Sequence, residues 1–570
     1  MKSKSKMTRV FVGSFVPIAL VLMLSLRPGG AQAATFVVNS TADDVDAAPG
    51  NGACATAGGV CTLRAAIMEA NAVAGADSIT LPAGTYTSSI PGTGENAAAT
   101  GDLDMTGNLN INGAGAASTI IDGGGIDRVF EVRPGATVEI DGVTVRNGKP
   151  GAGGTGGGGI SNQGTMTLTN STVTSSTDGI GGGIYNHGTM TVNSSTVSGN
   201  SGAGGVYSSA DGLGGGIFND GTMTINRSTV SGNTAPGVYW FSPGGGGIFN
   251  NIPGSMTLTN STVSGNAAGT GVVNLSSSLT IESSTVSGNT GNTGYGGGGV
   301  LNFSWTAIAT TSVFSSTIAE NRNLTSRGDA IADAFSPPGS VVLKNSVVAS
   351  PTQGLGDDCN IAAGVLTSLG HNIASDASCG LTGSGDLNST DPLLGTLADN
   401  GGPTLTHAPL LGSPAADAVP LADCTDANDN PIATDQRGVA RPQGVACEIG
   451  AYEVEAEITV AIDIKPGSFP NSINPKSKGV IPVAILTTAT FDATTVDPTT
   501  VLFGATGTEA VPVHSALEDV DGDGDTDMIL HFNSQATEIQ CGDTSASLTG
   551  ETLDGQMIQG SDAINTVGCK

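Results

Sequence analysis

Apolar and polar residues alternate in short runs through the middle of the chain, and the runs recur. In Thr165-Met166-Thr167-Leu168-Thr169, a period of two puts Met166 and Leu168 on one face and the threonines on the other. The alternation returns at Met190/Val192, Met223/Ile225, Met256/Leu258 and Leu279/Ile281. Ser-Thr-Val segments ending at Val173, Val197, Val230, Val263 and Val286 form a second apolar series, and Ile160, Ile184, Ile217, Ile248, Val272 and Val300 a third. Stacked copies would align each series into one column. The pattern therefore predicts an all-β fold, a right-handed parallel β-helix with three short strands per coil.

The spacing agrees with that geometry. Ile160 to Ile184 and Ile248 to Val272 are each 24 residues, room for three strands of about five residues with their turns. The intervals of 33 and 31 residues that follow Ile184 and Ile217 add chain between Ser-Gly-Asn and the next glycine run, so insertions keep to one corner. The glycines before each isoleucine suit a corner with positive φ. Asn162, Asn186, Asn219, Asn250, Asn274 and Asn302 mark one turn, and Asn200, Asn233, Asn266, Asn289 and Asn321 another. Amides stacked at the strand spacing of about 4.8 Å can bond along the axis as ladders. Weaker rungs at Leu109–Asn112, Thr119–Ile121 and Thr137–Val145 place the array over residues 78–390, about ten to twelve coils and a rod of roughly 50 Å.

The flanks read differently. Leu63, Ala66, Ile67, Ala70 and Val73 recur at helical spacing in Cys61–Ala74, so residues 34–77 are expected to cap the open end of the stack with a helix over 61–74. From Asp391 the repeats stop, and 391–453 reads as a terminal cap. Residues 454–457 form an acidic linker. Alternation at Ile458, Val460, Ile462 and Ile464, again at Ile481, Val483 and Ile485, and through Asp527–Phe532 predicts a β-sandwich over 458–570.

Composition narrows the setting. The chain has 570 residues, 87 of them glycine, with a formal net charge of -30, and such acidity disfavours nucleic acid and anionic lipid. Lys2, Lys4, Lys6 and Arg9 precede an apolar run from Val10 to Leu26, and Ala31-Gln32-Ala33 supplies a small-x-small site. Residues 1–33 thus read as a signal peptide, implying a secreted or surface-bound mature chain with no membrane-spanning segment. In an oxidising compartment the eight cysteines suggest four local disulfides, Cys54–Cys61, Cys359–Cys379, Cys424–Cys447 and Cys541–Cys569, one of the many pairings eight cysteines allow.

Cys61-Thr62-Leu63-Arg64-Ala65-Ala66-Ile67 with Glu69-Ala70-Asn71 resembles the CSLREA domain of exported bacterial β-helix proteins, departing from it at Thr62 and Ala65. Asp399-Asn400-Gly401-Gly402-Pro403-Thr404, Gly412-Ser413-Pro414-Ala415, Asp435-Gln436-Arg437-Gly438, Arg441-Pro442 and Cys447 through Glu453 are similar to the segment that ends choice-of-anchor Q proteins. The Gly-Gly-Gly-Ile and Ser-Gly-Asn signatures also resemble chlamydial polymorphic outer membrane protein repeats, which belong to adhesins. These resemblances imply an exported surface protein of the pectin-lyase-like fold.

Chemistry concentrates in few places. Asp519, Asp521, Asp523, Asp525 and Asp527 crowd nine residues, and D-x-D-x-D-G-x-x-D is an oxygen-rich calcium loop with Gly524 at its sharp turn. Leu530 replaces the glutamate an EF-hand needs. The expected cofactor is structural Ca²⁺. Tyr185, Phe218 and Phe249 occupy one outward position in three coils, while Tyr207, Tyr239, Trp240, Phe241 and Tyr295 lie in the inserted loops. These eight are candidate ligand-binding residues, because stacked rings suit sugars; the bland alternative is burial under the loops. Asp178, Asp211, Asp220, Glu282, Arg227 and Lys344 are scattered singly, and His187 and His371 lack an evident partner. Asp435, Arg437, Arg441, Glu448 and Glu453 read as ion pairs fixing the cap. No catalytic set emerges, and the expected function is extracellular binding or adhesion to glycans or other surface polymers. A polysaccharide lyase or glycoside hydrolase is the alternative, recognisable by two or three carboxylates and a base converging in a groove. A purely structural surface protein is the third.

Overall fold

A computed structural model describes residues 33–151, 156–202, 212–235, 244–291, 297–324, 328–350, 357–362, 364–426, 428–553 and 556–569. Three long sheets run side by side. The methionine sheet has 12 strands, from Thr35–Val37 to Val365–Ser368; the valine sheet has 11, from Gly84–Thr87 to Ile373–Ala374; the isoleucine sheet has 10, from Leu103–Met105 to Cys359–Ile361. Neighbouring strands are parallel, and the register matches equivalent residues: Met166 opposite Met190, Val173 opposite Val197, Ile160 opposite Ile184. The chain is a parallel β-helix. Its three apolar columns meet in one continuous buried core, where each fully buried Ile or Val contributes about 1.5–3 kcal/mol.

Polar ladders hold the corners. Asn162 Nδ2 donates to Asn186 Oδ1 at 2.7 Å, and the series continues through Asn219, Asn250, Asn274 and Asn302 to Asp333. The second runs from Asn200 through Asn233, Asn266 and Asn289 to Asn321 at 2.9–3.0 Å. A third ladder went unread in the sequence: Ser171, Ser195, Ser228 and Ser261 each donate a backbone N–H to the hydroxyl of the next serine, at 3.0–3.1 Å. The glycine run serves two purposes. Gly181 turns the corner at φ +62°, and a Cβ on Gly183 would stand 2.8 Å from Asn200 Nδ2, so only glycine lets the ladder approach the strand.

The N-terminal helix spans Leu63–Ala72, and Thr62 caps it by accepting from Ala65 N at 3.1 Å. Leu63, Ala66, Ile67 and Ala70 bury themselves in the β-helix core. The polar residues of this motif tie down loops. Arg64 donates to Asp43 (2.6 Å), Ala98 O (2.9 Å) and Gly101 O (2.9 Å); Glu69 accepts from Gly50 N and Gly52 N; Asn71 donates to Asp104 O at 2.7 Å. The opening strand Thr35–Val37 pairs with Ser78–Thr80 and is itself a rung of the methionine sheet.

Residues 391–453, expected as a terminal cap, lie along the side of the stack. The outward positions of the valine sheet turn apolar in its last coils, and Ala319, Val347, Ala349 and Ile373 pack with Ala415, Val419, Cys424, Cys447 and Ile449. That apolar flank is what draws the segment sideways. Residues 458–569 form the expected sandwich, two four-stranded sheets around a core that includes Val483, Phe503, Leu530 and Phe532. All eight cysteines pair as anticipated, Cys54–Cys61, Cys359–Cys379, Cys424–Cys447 and Cys541–Cys569. Among the described residues no helix is long and apolar enough to cross a membrane.

Candidate functional site

The outward aromatic stripe is a buried seam. Tyr185, Phe218 and Phe249 are in register and stack at 5.5 Å between successive centroids. Phe218 is 5% exposed and Phe249 1%, so neither offers a ring face to a ligand. The physical cause is continuity: the column goes on as Val273, Leu301 and Ala332, and Ile180 and Leu213 pack upon it. Tyr185 is half-buried; burial, then the charge and hydrogen bond of Asp220, push its hydroxyl up to about 12. Its hydroxyl lies 3.3 Å from Asp220 Oδ2, whose other oxygen is 3.0 Å from His187 Nδ1. Tyr207, Tyr239, Trp240, Phe241 and Tyr295 lie outside the described residues.

An exposed aromatic group stands instead at the corner between the isoleucine and methionine sheets. Phe303, Trp305 and Phe335 form a cluster with centroids 6.2, 4.7 and 5.4 Å apart. Phe303 is buried beneath, while Trp305 is 45% and Phe335 38% exposed. The corner is built to hold them. Ser276 Oγ accepts from the backbone N–H of Trp305 at 2.8 Å and of Thr306 at 3.2 Å. Phe335 sits at φ +80°, a conformation rare for a bulky side chain and retained only where the surroundings impose it. Sequence reasoning passed over both residues because neither belongs to the repeat. Their signal was positional, since Phe335 directly follows the isoleucine-sheet strand Ile331–Ala334 and Trp305 stands two residues past the end of Val300–Phe303.

The aspartate loop joins two antiparallel strands, Pro512–Glu518 and Asp527–Asn533. Asp519, Asp521 and Asp527 bring one oxygen each to within 4.8 Å of one another, separations that oxygens about 2.4 Å from one Ca²⁺ can span. Asp527 is anchored from below by Thr487 N (2.8 Å) and Val520 N (2.9 Å). Gly522 and Gly524 turn at φ +80° and +100°. Asp523 and Asp525 stand outside the converging trio: Asp523 accepts from Asp525 N at 3.0 Å. Desolvation, the hydrogen bond with Asp523 and the surrounding carboxylates push Asp525 up to about 6.

The charged residues of 391–453 pair both within the segment and with its neighbours. Arg437 Nε lies 2.8 Å from Asp435 and its guanidinium 3.6 Å above the Tyr452 ring; Arg441 Nε lies 3.4 Å from Glu453. His371, apparently solitary in the sequence, meets Asp423 at 3.2 Å. Beside this segment a cleft of about 760 Å³ is lined by Glu320, Arg322, Asp358, Asp376, Asp391 and His407, among others. His407 is committed, with Nδ1 to Gly395 O at 2.7 Å and Nε2 to Ser287 Oγ at 2.8 Å. Comparison with protein-family models, with curated proteins and with solved structures finds no match to this chain.

Proposed function

We propose that this is an exported surface protein of the CSLREA and choice-of-anchor Q kind that binds glycans or similar surface polymers, with structural calcium in its sandwich domain. The observation that carries the binding reading is the Trp305–Phe335 stack. A paired aromatic surface exposed at a rigid corner is what a pyranose ring packs upon, and holding it open to water without a ligand has no stabilising purpose. The four disulfides and the acidic composition suit an extracellular setting. The test is a glycan array probed with the wild type and with Trp305→Ala/Phe335→Ala. Specific signals lost in the double variant support the reading; equal signals, or none, reject it.

Polysaccharide cleavage is the second reading, favoured by the cleft that Arg322 lines together with Glu320, Asp376 and Asp391. Carboxylates and a base around one cavity are the elements of lyase or hydrolase chemistry. Release of shortened chains from polyuronates, abolished by Arg322→Ala, would replace binding with catalysis as the principal activity.

A further inference from the structure

The outward column of the isoleucine sheet changes character toward the N-terminal end. Where later coils place Tyr185, Phe218 and Phe249, the earlier ones place Asp104, Glu131 and Ser161 in register. Asp104 and Ser161 are 0% exposed and Glu131 6%. Asp102, 4% exposed, adds a third carboxylate, and one oxygen from each of Asp102, Asp104 and Glu131 falls within 4.8 Å of the others.

Arginines answer only part of this charge. Arg128 lies 3.2 Å from Asp102 and 3.1 Å from Glu131, and Arg133 lies 2.6 Å from Glu131. Asp127 is buried alongside, so four acids face two bases. Two atoms remain unaccounted for, one on each side of Glu131: Asp104 Oδ1 and Ser161 Oγ are buried without a hydrogen-bond partner. A buried carboxylate oxygen that no protein donor reaches is costly.

We infer that Asp102, Asp104 and Glu131 bind a calcium ion within the first coils of the β-helix. An ion of charge +2 neutralises the two unanswered acids and gives Asp104 Oδ1 its partner. The ligand class follows from the donors, all hard oxygens. Three carboxylate oxygens all within 4.8 Å of one another can share one Ca²⁺ at about 2.4 Å, and Ca²⁺ accepts an irregular, flexible oxygen shell where Mg²⁺ demands a near-ideal octahedron. The ion would pin the coil to the N-terminal helix, because Asn71 already holds Asp104 O and Thr106 N.

The test counts calcium in the full-length protein after desalting, by atomic emission, and does not depend on glycan binding. Asp521→Asn serves as the background, which removes the sandwich loop from the count. One ion per chain is expected in Asp521→Asn, and none in Asp521→Asn/Asp104→Asn or in Asp521→Asn/Glu131→Gln. Circular dichroism verifies that each variant is folded. Should neither double variant fold, a terbium soak of Asp521→Asn crystals decides, with an anomalous peak expected among the three carboxylates. No ion in the background protein, an unchanged count in a folded double variant, or no peak at the trio overturns the inference.

Discussion

Gln436 Nε2 donates to Thr262 Oγ1 at 2.8 Å across 174 residues of chain, while its Oε1 accepts from Thr285 Oγ1 at 2.7 Å. One side chain thereby bridges two successive coils of the valine sheet. The contact is buried, so its loss strands the Thr285 hydroxyl rather than returning it to water, while Thr262 Oγ1 keeps its bond to Leu405 O. Gln436→Leu should cost about 1–3 kcal/mol, read by chemical denaturation, and should speed proteolysis within 391–453.

The asparagine ladder makes a sharper demand. Asn233 accepts from Asn200 N and Nδ2 and donates to Val197 O and Asn266 Oδ1, all at 2.9–3.0 Å. Asn233→Ala removes the side-chain amide from a column with no accessible surface, and a loss of about 3 kcal/mol is expected. Thr224→Ala, on the outward side of the same coil, should stay within about 0.5 kcal/mol. Equal midpoints for the two variants would contradict the ladder's role.

The two aromatic groups should separate stability from binding. Phe218→Ala opens a cavity in the buried seam and should cost about 3–5 kcal/mol. Trp305→Ala removes an exposed ring and should shift stability by less than about 1 kcal/mol while abolishing retention on an immobilised glycan ligand. Thermal melts and affinity retardation of both variants check the contrast.

Calcium at the aspartate loop should stabilise the sandwich domain through mass action, by about 2.7 kcal/mol when calcium is a hundredfold above its dissociation constant. Asp521→Asn should erase that increment, and a calorimetric scan with calcium and with chelator measures it. An identical calcium response in wild type and variant would remove the loop from consideration.

Glu448 provides the pH dependence. Burial, its hydrogen bond to Glu453 and the charge of that neighbour raise it from 4.5 to about 9. The folded protein then holds a proton that the unfolded chain has released, so the unfolded state binds fewer protons between those values. Stability from this group is complete below about pH 4 and declines as pH rises toward 9. Relative to wild type, Glu448→Gln should therefore lose less stability between about pH 5 and pH 8, followed as the difference in melting temperature.

Much of the fold was legible because a solenoid repeats its constraints. Met166, Val173 and Ile160 recur in the sequence at the positions they share in space, so period and spacing alone predict the three columns and both asparagine ladders. The disulfides were legible for a related reason, since each closes a short local loop of 7–28 residues. The serine ladder escaped notice because serine is abundant throughout the chain, and nothing in a single Ser marks it as inward-facing.

Sequence by itself thus determined the β-helix, the pairing of cysteines and the position of the aspartate loop, each governed by residues close in sequence or repeated in it. Tertiary structure decided the rest. It buried Phe218 and Phe249 in a seam that Val273 and Leu301 extend, exposed Trp305 and Phe335 at a corner, and laid residues 391–453 along the valine sheet. It also gathered Asp102, Asp104 and Glu131 into one buried group. Exposure and convergence depend on what covers a residue from distant parts of the chain, and no local pattern encodes that.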